Sequence, residues 1–186
     1  PNVTDPTDQV VCVGTSTAAV TFASVLNVSG TVYSWTNTNT TIGIAASGTG
    51  DIASFTTTNT TNNAQVSTIV VTPSYVNAGV TCTGSSQTFT ITVNPTPNVT
   101  DPTDQVVCVG TSTAVAFTSP LNVSGTVYTW SNDNLNTGLV GSGTGDIATF
   151  ATTNTTNAAI ISTVTVTPSY VNAGVTCTGT AQTFTI

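Results

Sequence analysis

The amino-acid sequence predicts an all-β protein built as two tandem β-sandwiches of about seven strands each. Three observations carry that expectation. The first is duplication: Pro1–Ala18 and Pro97–Ala114 are the same eighteen letters, Leu26–Tyr33 returns as Leu121–Tyr128, and Val71–Gly84 returns as Val166–Gly179. The offset falls from 96 at Cys12/Cys108 to 95 at Trp35/Trp130, so one residue is lost between Ala18 and Leu26. The second is alternation of apolar and polar residues with period two, and no stretch carries a convincing helical period. The third is the regular recurrence of turn residues between the alternating runs. Self-similarity at a fixed period is the mark of repeat architecture, and tandem modules usually build length or valency.

Within one repeat the elements follow in order. The stretch around Val3 and the run Gln9–Val13, with the first cysteine, are candidate strands. Ala18–Ala23 and Asp51–Thr57 are shorter candidates. Thr31–Thr36 places Tyr33 and Trp35 on one face. Ser67–Thr72 turns Ile69 and Val71 inward, and Gln87–Val93 turns Phe89, Ile91 and Val93 inward while Thr88, Thr90 and Thr92 face water. Ser29-Gly30, Ser47–Gly50, Asn62-Asn63, Asn77–Gly79 and Thr83-Gly84 are the turns. Strands at such spacing in about 95 residues indicate a sandwich with Greek-key connections, and a Trp beside a cysteine pair gives it an immunoglobulin-like cast. The expected layout is repeat 1 over residues 1–94, a Pro-rich linker over 95–97, and repeat 2 over 98–186 with its last strand truncated. Pro95 and Pro97 should make that linker stiff and extended.

Composition excludes several functions. The 186 residues include seven Asp and Glu but no Lys, Arg, His or Met, for a net charge of −7. Phosphate neutralisation needs cations, so nucleic acid is not an expected partner. An anionic membrane surface should repel the chain, and no apolar run is long enough for a transmembrane helix. With no His or Lys to act as base, the many Ser and Thr hydroxyls have no activator, and an enzyme is not expected. Abundant Val, Ile and Thr nevertheless argue for a folded chain. No signal peptide is visible. Pro1 aligns with Pro97 and Ile186 with Ile91, the pattern expected of a segment from a longer array.

Each repeat has two cysteines: Cys12 and Cys82, then Cys108 and Cys177. No CxxC and no His completes a zinc site. Of the three possible connectivities the simplest is one disulfide within each repeat, Cys12–Cys82 and Cys108–Cys177. Each would close a loop of about 70 residues, worth roughly 4 kcal/mol in the chain-entropy model. Such a pairing would pin the first strand to the final hairpin and would imply an oxidising compartment.

The combination of Cys12-Val13-Gly14, Tyr33–Trp35 and Tyr128–Trp130, Ser47–Ile52 and Ser142–Ile147, Val71–Pro73, Cys82–Gly84 and Gln87–Pro95 resembles the PKD-like, immunoglobulin-like repeats of Bacteroidota surface proteins. It looks most like the arrays in giant gliding-motility adhesins of the SprB type, and it covers essentially the whole chain. The resemblance implies an extracellular, outer-membrane-attached protein exported by the type IX secretion system. It brings no catalytic residue with it.

The remaining candidate sites carry two readings each. Asp5, Asp8, Asp101 and Asp104 could supply oxygen ligands to calcium, or could cap Asx-type turns. Asn2, Asn27, Asn39, Asn59, Asn98, Asn122 and Asn154 stand in Asn-x-Ser/Thr triplets, which arise by chance in so Asn- and Thr-rich a chain. Tyr75 and Tyr170 could stack on sugar or close a corner of the sandwich. Rows of Thr suit ice or lateral packing, or simply half-buried strands. The expected function is a structural stalk within a cell-surface adhesin or filament, whose partners are neighbouring repeats of the same chain. The alternatives are multivalent binding of polysaccharide or surfaces by the repeats themselves, and self-assembly of copies into a fibre or sheath.

Overall fold

The computed structural model describes every residue from Pro1 to Ile186. The chain is all-β apart from two single turns of 3-10 helix, Thr40–Ile42 and Leu135–Thr137. It divides into two compact units, Pro1–Pro95 and Thr96–Ile186. Unit 1 holds β1 (Gln9–Cys12), β2 (Val32–Asn37), β3 (Ser47–Thr49), β4 (Gln65–Asn77), β5 (Val80–Thr83) and β6 (Gln87–Asn94). They form one open sheet in the order β1-β6-β4-β2-β3, with β5 paired to one end of β4. Unit 2 holds β7 (Ser112–Val115), β8 (Val127–Asn132), β9 (Ser142–Thr144), β10 (Ile147–Ala151), β11 (Thr163–Asn172), β12 (Val175–Thr178) and β13 (Gln182–Thr185). Its larger sheet runs β12-β11-β8-β9 with β13 on β11, and β7 and β10 form a separate pair.

The long strand at the middle of each sheet follows from its side chains. β4 buries Ser67, Ile69, Val71 and Pro73 in strict alternation, and β6 beside it buries Phe89, Ile91 and Val93. A pleated strand points successive side chains to opposite faces, so these residues share one face and must be covered. The cover comes from segments outside that sheet: Val3, Val20, Phe22, Ile42, Ile44 and Ile52 complete the core of unit 1. Phe22 meets Phe89 edge-on at 6.4 Å between ring centroids, and Phe117 meets Phe184 in the same way at 6.3 Å. Trp35 is buried over Gly48, where an added Cβ would fall on the indole; Trp130 sits over Gly143 likewise.

The covering layer is less regular than the alternation suggests. Ala18–Ala23 and Asp51–Thr57 contribute only isolated bridges, Ser16↔Thr56 and Val20↔Ile52, and the stretch around Val3 forms no strand. In unit 2 the corresponding residues form β7 and β10, with a bulge between Ile147 and Phe150. The unit with one residue fewer in this region thus has the longer ladder, interrupted by that bulge. Ser47–Thr49, expected as a turn, is an edge strand on β2 because Gly48 is what the Trp35 ring leaves room for. The Asn77–Gly79 turn joins β4 to β5 with positive φ at both Ala78 (49°) and Gly79 (79°), the primed geometry that matches strand twist.

Each unit has two distinct ends. Tyr75 pairs with Cys82 near one end of β4, and Gln65 pairs with Val93 at the other. The chain enters beside the first end: a Cβ on Gly84 would fall on the Pro1 carbonyl, and one on Gly179 would fall on that of Pro97. It leaves unit 1 at the second end, where β6 finishes at Asn94. There β1 lies parallel to β6, with Gln9↔Ile91, Val10↔Thr92, Val11↔Val93 and Cys12↔Asn94 in register.

Candidate functional site

The cysteines and carboxylates are the only side chains with distinctive chemistry, and the ends of the units decide what each can do. Cys12 lies level with Asn94, at the exit end of unit 1. Cys82 lies opposite Tyr75, at the entry end. Ten residues of β4, from Gln65 to Tyr75, separate the two levels. At about 3.3 Å per residue that is roughly 30 Å, against the ~7 Å limit between Cα atoms in a disulfide. Unit 2 repeats the arrangement: Cys177 pairs with Tyr170, while Gln105, three residues before Cys108, donates its N–H to Thr185 O at 2.9 Å, level with Thr163.

One disulfide per repeat is therefore excluded by the strand geometry, and the expected Cys12–Cys82 and Cys108–Cys177 pairings are corrected. Cys12 and Cys177 are oxidised, while Cys82 and Cys108 are exposed free thiols. The separation of about 70 residues hid this, because sequence distance carries no record of which end of a strand a residue reaches.

Five of the seven carboxylates, all but Asp5 and Asp101, serve as clamps on backbone N–H groups. Asp8 Oδ1 accepts from Thr90 N at 2.6 Å, holding the loop before β1 against β6, and Asp104 accepts from Thr185 N at 2.7 Å. Asp51 accepts from Phe22 N and Asp146 from Phe117 N, both at 2.9 Å, so each ties the covering layer to a core aromatic. Asp133 accepts from Thr163 N at 2.6 Å, a place filled in unit 1 by the Thr38 hydroxyl accepting from Thr68 N. Asp5 and Asp8 line one shallow hollow with Thr4, Thr7 and Thr21; Asp101 lines its counterpart with Thr100 and Thr118. Nowhere do three or more His, Cys, Asp or Glu side chains converge.

Most of the Asn-x-Ser/Thr asparagines are structural as well. Asn39 caps the 3-10 turn by accepting from Thr41 N and donates to Val66 O. Asn59 donates to Asn63 O and to Val93 O, both at 2.9 Å, and Asn154 repeats the first of these to Ala158 O. Asn2 and Asn98 accept from Leu26 N and Leu121 N at 3.3 Å. Asn27 and Asn122 occupy left-handed turn positions with φ of 46° and 50°. Sequence reading missed a further asparagine. Asn37 donates to Asn39 O and Ala45 O and accepts from Ser67, which is fully buried, and Asn132 repeats this with Ser162. Its recurrence next to Trp at the same offset was the available signal. Tyr75 lies against Gly30 and Tyr170 against Gly125, each over the turn before the Trp strand.

No helix is long and apolar enough to cross a membrane. Searches against protein-family models and against curated proteins return no match.

Proposed function

We propose that the chain is a structural segment of a large extracellular adhesin or filament, with each unit an immunoglobulin-like, PKD-like sandwich acting as a spacer. The observation that supports this reading most is the placement of entry and exit. Each repeat takes the chain in beside the β4–β5 hairpin, or its β11–β12 equivalent, and unit 1 carries it roughly 30 Å along the sheet before releasing it. A module threaded this way adds length each time it is repeated. The carboxylates and asparagines are spent on clamping backbone rather than gathered around a cleft. Oxidised Cys12 and Cys177 suit an oxidising compartment outside the cytosol. Outer-membrane attachment, type IX export and a part in gliding follow from the resemblance of the repeats.

Small-angle scattering of unit 1 alone and of the two-unit chain tests the spacer. The longest dimension should grow by at least about 30 Å when the second unit is added. An unchanged longest dimension would rule the spacer out. With the disulfide reduced, pulling the chain from its ends should also give two unfolding events, each releasing roughly 300 Å of contour for about 90 residues.

A further inference from the structure

The outer face of the main sheet, turned away from the core, is made alike in the two units. Alternation sends every second residue of a strand to that side. On β2, β3, β4 and β6 all of these are Thr, Ser or Val, and the same holds on β8, β9, β11 and β13. Strand register sets them in rows. Ser47, Thr36, Val70 and Thr88 stand side by side across unit 1. Ser142, Ser131, Thr165 and Thr183 do so across unit 2. Val32, Val66, Val76, Val127 and Val171 on these faces are about half exposed or more. Asp8 and Asp133 stand at the margins, where they accept from Thr90 N and Thr163 N. A solvent-facing surface ordinarily carries charges that keep copies apart. These strands place none on theirs.

We propose that this uncharged Thr/Ser/Val face docks on the same face of a second copy of this chain. Two sheets of like twist stack about 10 Å apart with their strands some 30° off parallel, the packing found inside a β-sandwich. Short side chains of nearly equal length suit that stacking, and Thr hydroxyls can bond across it while their methyls are covered. At about 3.3 Å per residue and 4.8 Å between strands, the face of unit 1 spans roughly 450 Å². Two such faces enclose about 900 Å², below the ~1,200 Å² of stable interfaces, so the contact is weak and reversible. The same surface is used on both copies, which makes each contact two-fold symmetric. Charge also selects this face. With a net charge of −7 and no cation, copies repel wherever carboxylates meet, and this contact brings none together at its centre. The inference goes beyond the spacer reading, which stands whether or not copies pair.

The experiment uses the full chain with the free thiols of Cys82 and Cys108 alkylated, so that no covalent link contributes. In sedimentation equilibrium the apparent mass should climb from one copy toward two as concentration rises toward the millimolar range. Association should strengthen several-fold between about 0.01 M and 1 M salt, as the screening length shortens from about 30 Å to about 3 Å. Thr36→Lys together with Ser131→Lys puts one charge at the middle of each face. It should weaken association at least tenfold, although it lowers the net negative charge. Ala53→Lys with Ala148→Lys makes the same change of charge at exposed positions of the covering layer and should leave association equal or stronger. Thr88→Lys with Thr183→Lys, in the same rows, repeats the face arm should the first pair misfold. A face variant that associates as the wild type does would overturn the proposal. So would a wild type that stays monomeric throughout; were that monomer retained on cellulose and the Thr36 and Ser131 variant not, the face would belong to polysaccharide instead.

Discussion

Units 1 and 2 begin with the same eighteen residues, yet Gln9–Cys12 is a strand and Gln105–Cys108 is not. The difference lies at the other end of the sequence. In unit 1, β6 continues through Thr92, Val93 and Asn94, and β1 pairs with those residues; Val93 and Asn94 are fully buried and Val13 N donates to Asn94 O at 2.9 Å. In unit 2 the described chain reaches only Ile186, the counterpart of Ile91. A single bond, Gln105 N to Thr185 O, survives of that pairing. In unit 1 it is the pairing with β6 that makes Gln9–Cys12 a strand. A strand is a property of a pair of segments.

Four sets of variants break or sharpen that comparison, here from the largest expected effect to the smallest. Phe89→Ala and Phe184→Ala empty the same place in the two cores, since both rings are 1% exposed. Each should cost its own unit about 3–5 kcal/mol in calorimetric unfolding. A clearly smaller loss in unit 2 would show that its core is packed less tightly around the ring.

Val93→Ala should cost unit 1 about 2 kcal/mol, because Val93 is fully buried in β6 opposite Val11. Hydrogen exchange of the Val10–Cys12 amides should rise at the same time. Unchanged exchange would mean that the pairing with β6 does not hold this strand.

Gly48→Ala and Gly143→Ala drive a methyl into Trp35 and Trp130 and should cost about 1–3 kcal/mol each, measured by denaturant unfolding. The two indoles differ in one respect: Trp35 Nε1 donates to Gly50 O at 3.1 Å, whereas Trp130 Nε1 is buried without an acceptor. Nothing in the surrounding contacts explains that difference. A smaller penalty at Gly143 would indicate that the unbonded ring gives way more readily.

Asp8→Ala and Asp104→Ala each remove one carboxylate clamp, with an expected loss of about 1 kcal/mol. Because Asp8 stands just before a formed strand and Asp104 before an unformed one, amide exchange should rise over Gln9–Cys12 and change little over Gln105–Cys108. An equal response in both would argue that the clamp, and not the strand neighbour, orders this region.

Much of the fold was legible in the residues. Alternation placed Ile69, Val71, Phe89, Ile91 and Val93 on the buried face, and Trp35 with them, because a pleat fixes side-chain direction within two residues. The covering segments were legible as apolar but not as irregular: Val20, Phe22 and Ile52 pack without a continuous ladder. The parallel pairing of β1 with β6 left no local signal, since its two members lie about 80 residues apart. The asparagine brackets at Asn37 and Asn132 were hidden by the abundance of Asn around them.

By itself the sequence determined the duplication, the all-β class and the composition of each core, since these rest on period, β-branched content and turn residues that act over a few positions. Only the tertiary structure decided that Cys12 and Cys82 lie at opposite ends of their sheet and that Gln9–Cys12 pairs with β6. Both depend on which end of a long strand a distant residue reaches, and on whether a neighbour is there to accept its hydrogen bonds.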